Sequence, residues 1–200
     1  MQIPKSSIFY QLRNYEKNKS WLTGVPHIRY LDMSIVFYYP VPQKEEEQVA
    51  LVTNENIKNW QISVEELEEL AAENTPKFHP LFFTALETLI QELCEECLMP
   101  QVQPDRSLPM YVLSNQKKLF GAAAILYPGA LLQISRCLKD DLYVLPSSVH
   151  ECILVPVNSV YTRAELENIV REVNENQVPD EDFLSNHIYF YSSQDDSLHS

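Results

Sequence analysis

Residues Met110–Val157 read MYVLSNQKKLFGAAAILYPGALLQISRCLKDDLYVLPSSVHECILVPV. Four runs in this stretch, Met110–Leu113, Ala122–Tyr127, Leu142–Leu145 and Cys152–Val157, are short, nearly unbroken in apolar residues and bounded by Asn, Gly, Pro or Ser. That is the pattern of strands with little exposure on either face. Between them the period changes. Pro128-Gly129 interrupts, and Leu131, Leu132, Ile134, Cys137 and Leu138 recur at helical spacing, so Ala130–Leu138 predicts an amphipathic helix. Asn115–Lys118 is polar and short enough to join the first two runs as antiparallel neighbours, and Leu142–Leu145 pairs with Cys152–Val157 around Pro146–Glu151.

Working outward toward the carboxy terminus, Thr162 with Glu165 forms a capping box ahead of Leu166, Ile169, Val170 and Val173, which predicts a helix. Val178–Phe183 is an acidic loop, His187–Tyr191 a half-buried edge strand, and residues 192–200 a frayed tail. Toward the amino terminus, Ile8, Phe9, Leu12 and Tyr15 fall at helical spacing and predict a helix over Ser7–Trp21. Met33–Tyr39 is strongly β-prone and pairs with Val49–Val52 across the acidic turn Gln43–Gln48. Thr53 opens a short helix, Asn54–Trp60, and Ser63 with Glu66 boxes a second over Val64–Glu73. A third, the longest, is expected from Pro80 to Cys97, followed by the loop Gln101–Pro109. The expected fold is α+β, one domain over residues 1–200, with a mostly antiparallel central sheet covered by amphipathic helices.

The chain carries 45% hydrophobic and 22% charged residues, which is ordinary globular composition. Its net charge of −13 and pI of about 4.7 oppose the phosphate attraction behind most nucleic-acid binding, so direct nucleic-acid contact is not expected. No run reaches the length of a membrane span and the first residues lack the apolar core of a signal peptide, which predicts a cytoplasmic protein without membrane contact. Cys94, Cys97, Cys137 and Cys152 sit within apolar segments, as buried thiols of a reducing compartment do, and no disulfide is expected.

Three constellations could carry chemistry. Ser147, Ser148, His150 and Glu151 supply a hydroxyl, an imidazole and a carboxylate, the residue types of a small hydrolase, but without a G-x-S-x-G turn or a Gly-rich oxyanion loop. Cys94 and Cys97 make a lone C-x-x-C, half of a zinc site. Glu65, Glu66, Glu68 and Glu69 crowd one short helix and Glu92, Glu95 and Glu96 another, a negative surface that a basic protein could recognise. With only three glycines, Gly24, Gly121 and Gly129, no dinucleotide or P-loop pattern can be built, and no cofactor is expected. Pro128-Gly129 before a helix could bare amides to an anion, although a tight turn from strand to helix accounts for it better. A non-catalytic protein that binds another macromolecule, such as a basic nucleic-acid-handling protein, accounts best for these features; a Ser/His hydrolase or a metal-binding protein is the alternative.

Several phrases carry a family resemblance: Asn14–Asn18, Pro26–Asp32, Leu51–Glu55, Met110–Asn115, Gly121–Gly129 and Asp141–Glu151. Together, and in this order, they resemble a bacterial family of unknown function, DUF5688, frequent in Clostridia, over about Lys5 to Tyr191. The resemblance is to the carboxy-terminal portion of members that carry an additional amino-terminal region. It implies a relative but no activity, cofactor or catalytic residue.

Overall fold

A computed structural model describes residues 5–41, 48–96, 109–146 and 148–200, with the side chains of 5, 48 and 93–96 outside that description. The expected turn Gln43–Gln48 and loop Gln101–Pro109 fall almost wholly outside the described residues. The fold is α+β, with its strands divided between two antiparallel sheets rather than gathered into one.

The first sheet holds β1 (Phe9–Asn14), β2 (His27–Tyr30), β3 (Met33–Val41) and β4 (Gln48–Leu51). The long β3 runs through its centre, pairing β1 along one edge and β2 then β4 along the other. The second sheet has the order β10-β9-β7-β8-β6-β5, where β5 is Leu81–Ala85, β6 Tyr111–Asn115, β7 Leu142–Leu145, β8 Cys152–Pro156, β9 Tyr189–Ser192 and β10 Ser197–His199.

Alternation along the strands explains their unbroken apolar character. Leu142, Val144, Cys152 and Leu154 face a large core shared with Leu12, Ile35 and Phe37 of the first sheet, whereas Leu145 and Val155 face the other way. There α6 (Arg163–Asn176) covers them with Leu166 and Val170. On the outer face of the first sheet, Leu22 at the end of α1 (Tyr15–Leu22) packs on Val36. The central strands β3, β7 and β8 are therefore covered on both faces, and apolar residues occupy consecutive positions along them.

The helix signals at Thr53, Ser63 and Thr162 act as expected. Each side chain accepts its N3 amide while the N3 side chain accepts the cap amide, starting α2 (Asn54–Trp60), α3 (Val64–Phe78) and α6. Ala130–Leu138 is α5, entered through Gly129 at φ 69, and Leu86–Glu96 is α4.

Four elements differ from expectation. Ser7–Trp21 begins as strand, Phe9–Asn14, because both faces of β1 are covered, and only from Tyr15, where the Asn14 side chain accepts the Lys17 amide, does a helix begin. Leu81–Ala85 is strand β5 rather than helix, pairing the whole of β6 and stacking Phe83 on Tyr111 at 5.4 Å. Ala122–Tyr127 is not a strand. It lies within and just beyond a buried 3-10 segment, Gly121–Leu126, so β6 takes β5 and β8 as neighbours instead. The tail is not frayed but forms β10 on β9, which makes β9 an interior strand; Tyr191 Oη donates to Asp196 Oδ1 at 2.6 Å to close that hairpin.

Candidate functional site

β1 packs against the 3-10 segment, and a cleft of about 160 Å³ opens beside it. Phe9, Gln11, Thr75, His79, Val49, Phe120 and Tyr127 are among its walls. The wall is braced by hydrogen bonds between elements distant in sequence. Tyr127 Oη donates to the His79 carbonyl at 2.7 Å, and the Tyr10 amide donates to Thr75 Oγ1 at 3.1 Å. Burial raises the Tyr10 hydroxyl well above the ordinary phenol range, with Tyr127 and Glu68 adding to it, and the hydroxyl has no partner among the described residues.

The segment after β6 shapes the mouth. Asn115 Nδ2 donates to the Leu119 carbonyl at 2.8 Å, folding the turn back on itself, while Lys118 and Phe120 take left-handed backbone conformations at φ 52 and 53. Such a conformation costs a non-glycine residue about 1–2 kcal/mol, so the surrounding contacts must hold it. At Phe120 those contacts are visible. Its ring stacks on His150 at 5.4 Å, its amide donates to His150 Nδ1 at 3.2 Å, and the Arg13 guanidinium lies 4.8 Å from its centroid.

This arrangement decides what His150 can do. Nδ1 accepts from the backbone, so Nε2 carries the proton and faces Asp182 Oδ1 at 3.2 Å. Ser148, 7% exposed, donates instead to Glu151 Oε1 at 3.3 Å and accepts the His150 amide at 3.1 Å. No imidazole lone pair faces the Ser148 hydroxyl, which general-base activation requires. The segment serves as a brace: Ser148 bridges to Phe183, the Val149 amide bonds the Asp182 carbonyl, and Ser114 Oγ donates to the His150 carbonyl at 2.7 Å. Ser147 lies outside the described residues.

The sequence profile of a family of unknown function (DUF5688) matches residues 1–193. The chain belongs to that family. Among curated proteins and among solved structures, none matches it.

On this DUF5688 chain the acidic residues of α3 keep their expected outward placement. Glu65, Glu66 and Glu69 are exposed and Glu68 is half-buried, while Leu67 and Ala71 are buried beneath them. Glu66 also accepts the Ser63 amide at 2.9 Å, so its carboxylate is spent partly on the cap. Backbone and Ser63 hydrogen bonds hold the Glu65 carboxyl below the usual carboxylate range. Glu92 is exposed on α4; the side chains of Glu95, Glu96 and Cys94, and all of Cys97, lie outside the described residues. Among the described residues no group of three or more His, Cys, Asp or Glu could hold a metal.

Cys137 is exposed rather than buried, because α5 turns only Ala130, Leu131, Ile134 and Ser135 fully inward. Cys152 is buried and its thiol, raised by burial and by Glu151, contacts the Ala122 carbonyl at 3.7 Å. Gly129 starts α5 without a side-chain cap, yet the groove beside it is also lined by Asp196, whose carboxylate opposes an anion there. The DUF5688 cleft itself had no sequence signal. Its walls come from five separate elements, and Phe120 and Tyr127 flank a run that resembles a strand.

Proposed function

We propose that this chain is a non-catalytic binding protein that engages a basic macromolecule, such as a nucleic-acid-handling protein, through the acidic face of α3. The supporting observation is an imbalance on one helix. Of the cations and carboxylates on α3, Lys77 pairs with Glu73 at 2.6 Å, and no cation among the described residues lies within 4.0 Å of Glu65, Glu66, Glu68 or Glu69. Like charges this close repel one another, and a basic surface relieves that repulsion while steering association. The protein is read as cytoplasmic, since the free thiols of Cys137 and Cys152 suit a reducing compartment. No helix among the described residues is long and apolar enough to cross a membrane.

The test is retention on immobilised polylysine as salt rises from about 0.01 M to about 0.15 M, a range over which the screening length falls from about 30 Å to about 8 Å. Retention is expected to fall steeply. A Glu65→Gln/Glu69→Gln variant should lose more of it than Glu172→Gln/Glu175→Gln, which removes the same charge from exposed positions of α6. Equal losses in the two variants would reduce the effect to net charge and remove α3 as the binding face.

A further inference from the structure

We propose that the cleft beside β1 binds a compact aromatic ring bearing a carboxylate. This site stands apart from the acidic face of α3 and does not depend on it.

Size and shape point to one ring. An engineered apolar cavity of about 150 Å³ in another protein admits benzene, and this cleft measures about 160 Å³. Its walls present the rings of Phe9, His79, Phe120 and Tyr127, with Phe9 and His79 already edge to face at 5.1 Å. Aromatic rings favour such edge and offset contacts over apolar burial alone. At the mouth, Val49 and Leu119 are 45% and 50% exposed, large apolar residues left in water that a seated ring would cover.

Hydrogen-bonding capacity decides what the ring carries. Gln11 is 3% exposed and lines the cleft. Its Oε1 accepts from Arg13 Nη2 at 3.2 Å, which orients the amide and leaves Nε2 without an acceptor among the described residues. The Tyr10 hydroxyl, in the same wall, is likewise buried without a partner among the described residues, while three other oxygens of the wall already take a donor. Asn115 Oδ1 takes the Leu119 amide at 3.4 Å, the His79 carbonyl takes the Tyr127 hydroxyl, and Thr75 Oγ1 takes the Tyr10 amide. The cleft therefore has an N–H to give and asks for an acceptor.

Charge selects an anionic one. Arg13 is half-buried behind Gln11 and Phe120, and has no carboxylate within 4.0 Å among the described residues. A guanidinium in that position makes the Gln11 amide a stronger donor and favours a negative oxygen over a neutral one.

The probes are benzoate, N-acetylphenylalanine and benzylammonium, titrated into the full chain by ligand-observed NMR. For ligands of this size, Kd of about 1 mM or tighter is expected for at least one of the two acids, with benzylammonium at least about tenfold weaker. Tighter benzoate points to a free acid as the natural ligand, and tighter N-acetylphenylalanine to the carboxy-terminal residue of a partner chain. Gln11→Glu keeps an acceptor for Arg13 but replaces the donor with a like charge, and should weaken the acids at least about tenfold. Leu119→Trp, a change at an exposed position, fills the mouth and should do the same if Gln11→Glu proves unstable. Neither acid binding at about 10 mM, benzylammonium binding as tightly, or a folded Gln11→Glu protein with unchanged affinity would overturn the assignment.

Discussion

The Tyr189 hydroxyl donates to the Asp32 carboxylate, across 157 positions of sequence and from the second sheet to the turn between β2 and β3 of the first. Ser185 Oγ donates to the same carboxylate at 2.8 Å. Tyr189 is fully buried, whereas the side chain of its acceptor Asp32 is 25% exposed. Tyr189→Phe keeps the ring in the shared core and deletes one bond to a charged acceptor, at a cost of about 1.5–3 kcal/mol. Urea unfolding of the two proteins measures it, and a difference below about 0.5 kcal/mol would show that the bond does not join the sheets energetically.

Gly121→Ala should be more disruptive than any surface change. A Cβ there would overlap Ser114 Oγ and approach the Asn115 amide nitrogen and the His150 carbonyl oxygen to 2.6 Å. Two of these neighbours are backbone, so the cost is expected at about 3 kcal/mol, the upper part of the overpacking range. Thermal unfolding reads the loss, and crystallography of the variant should show the Ser114–His150 hydrogen bond broken.

Alkaline unfolding should be driven by tyrosine. Burial is the first cause that raises Tyr10, Tyr30, Tyr127, Tyr189 and Tyr191 above the ordinary phenol value. A folded-state pKa raised above the unfolded one favours the folded, protonated form below about pH 10, and that contribution is lost as pH climbs past it. Ultraviolet titration should therefore show part of the tyrosine signal appearing together with loss of circular dichroism. Smooth ionisation of all 11 tyrosines near pH 10 in a folded protein would contradict it.

Acid should loosen the β9–β10 hairpin through Asp141. Its carboxylate accepts the Ser193 hydroxyl at 2.7 Å and the Ser193 amide at 2.9 Å, and these bonds hold its carboxyl below the usual range. The sign is that of a depressed acid: the contribution is present above about pH 4 and falls away as pH drops. Hydrogen exchange of the β10 amides should quicken over that interval in the wild type and change less in Asp141→Asn.

Helix beginnings were legible because their causes are local. Thr53, Ser63 and Thr162 each sit three residues before the side chain that completes the box, and no distant contact is needed to specify that geometry. The strands β3, β7 and β8 were legible because both faces are covered, one by the core the two sheets share and the other by a helix, leaving continuous apolar runs. The same rule misleads at Gly121–Leu126. A buried 3-10 segment of alanines is as apolar as a buried strand, and only the absence of room beside β6, occupied by β5 and β8, tells them apart. Phe9–Asn14 misleads in the opposite way, since residues buried on both faces of β1 happen to include a helical spacing.

Sequence alone determined the α+β class, the net negative charge and the starts of α2, α3 and α6, since composition, charge and capping act within a few residues. Tertiary structure alone decided the partition into two sheets, the turn of His150 away from Ser148, and the cleft beside β1. Each of these depends on atoms brought together from positions far apart: Phe120 to His150, Asp182 to His150, Gln11 to Tyr127. Chain order leaves such distances open, and packing of the shared core closes them.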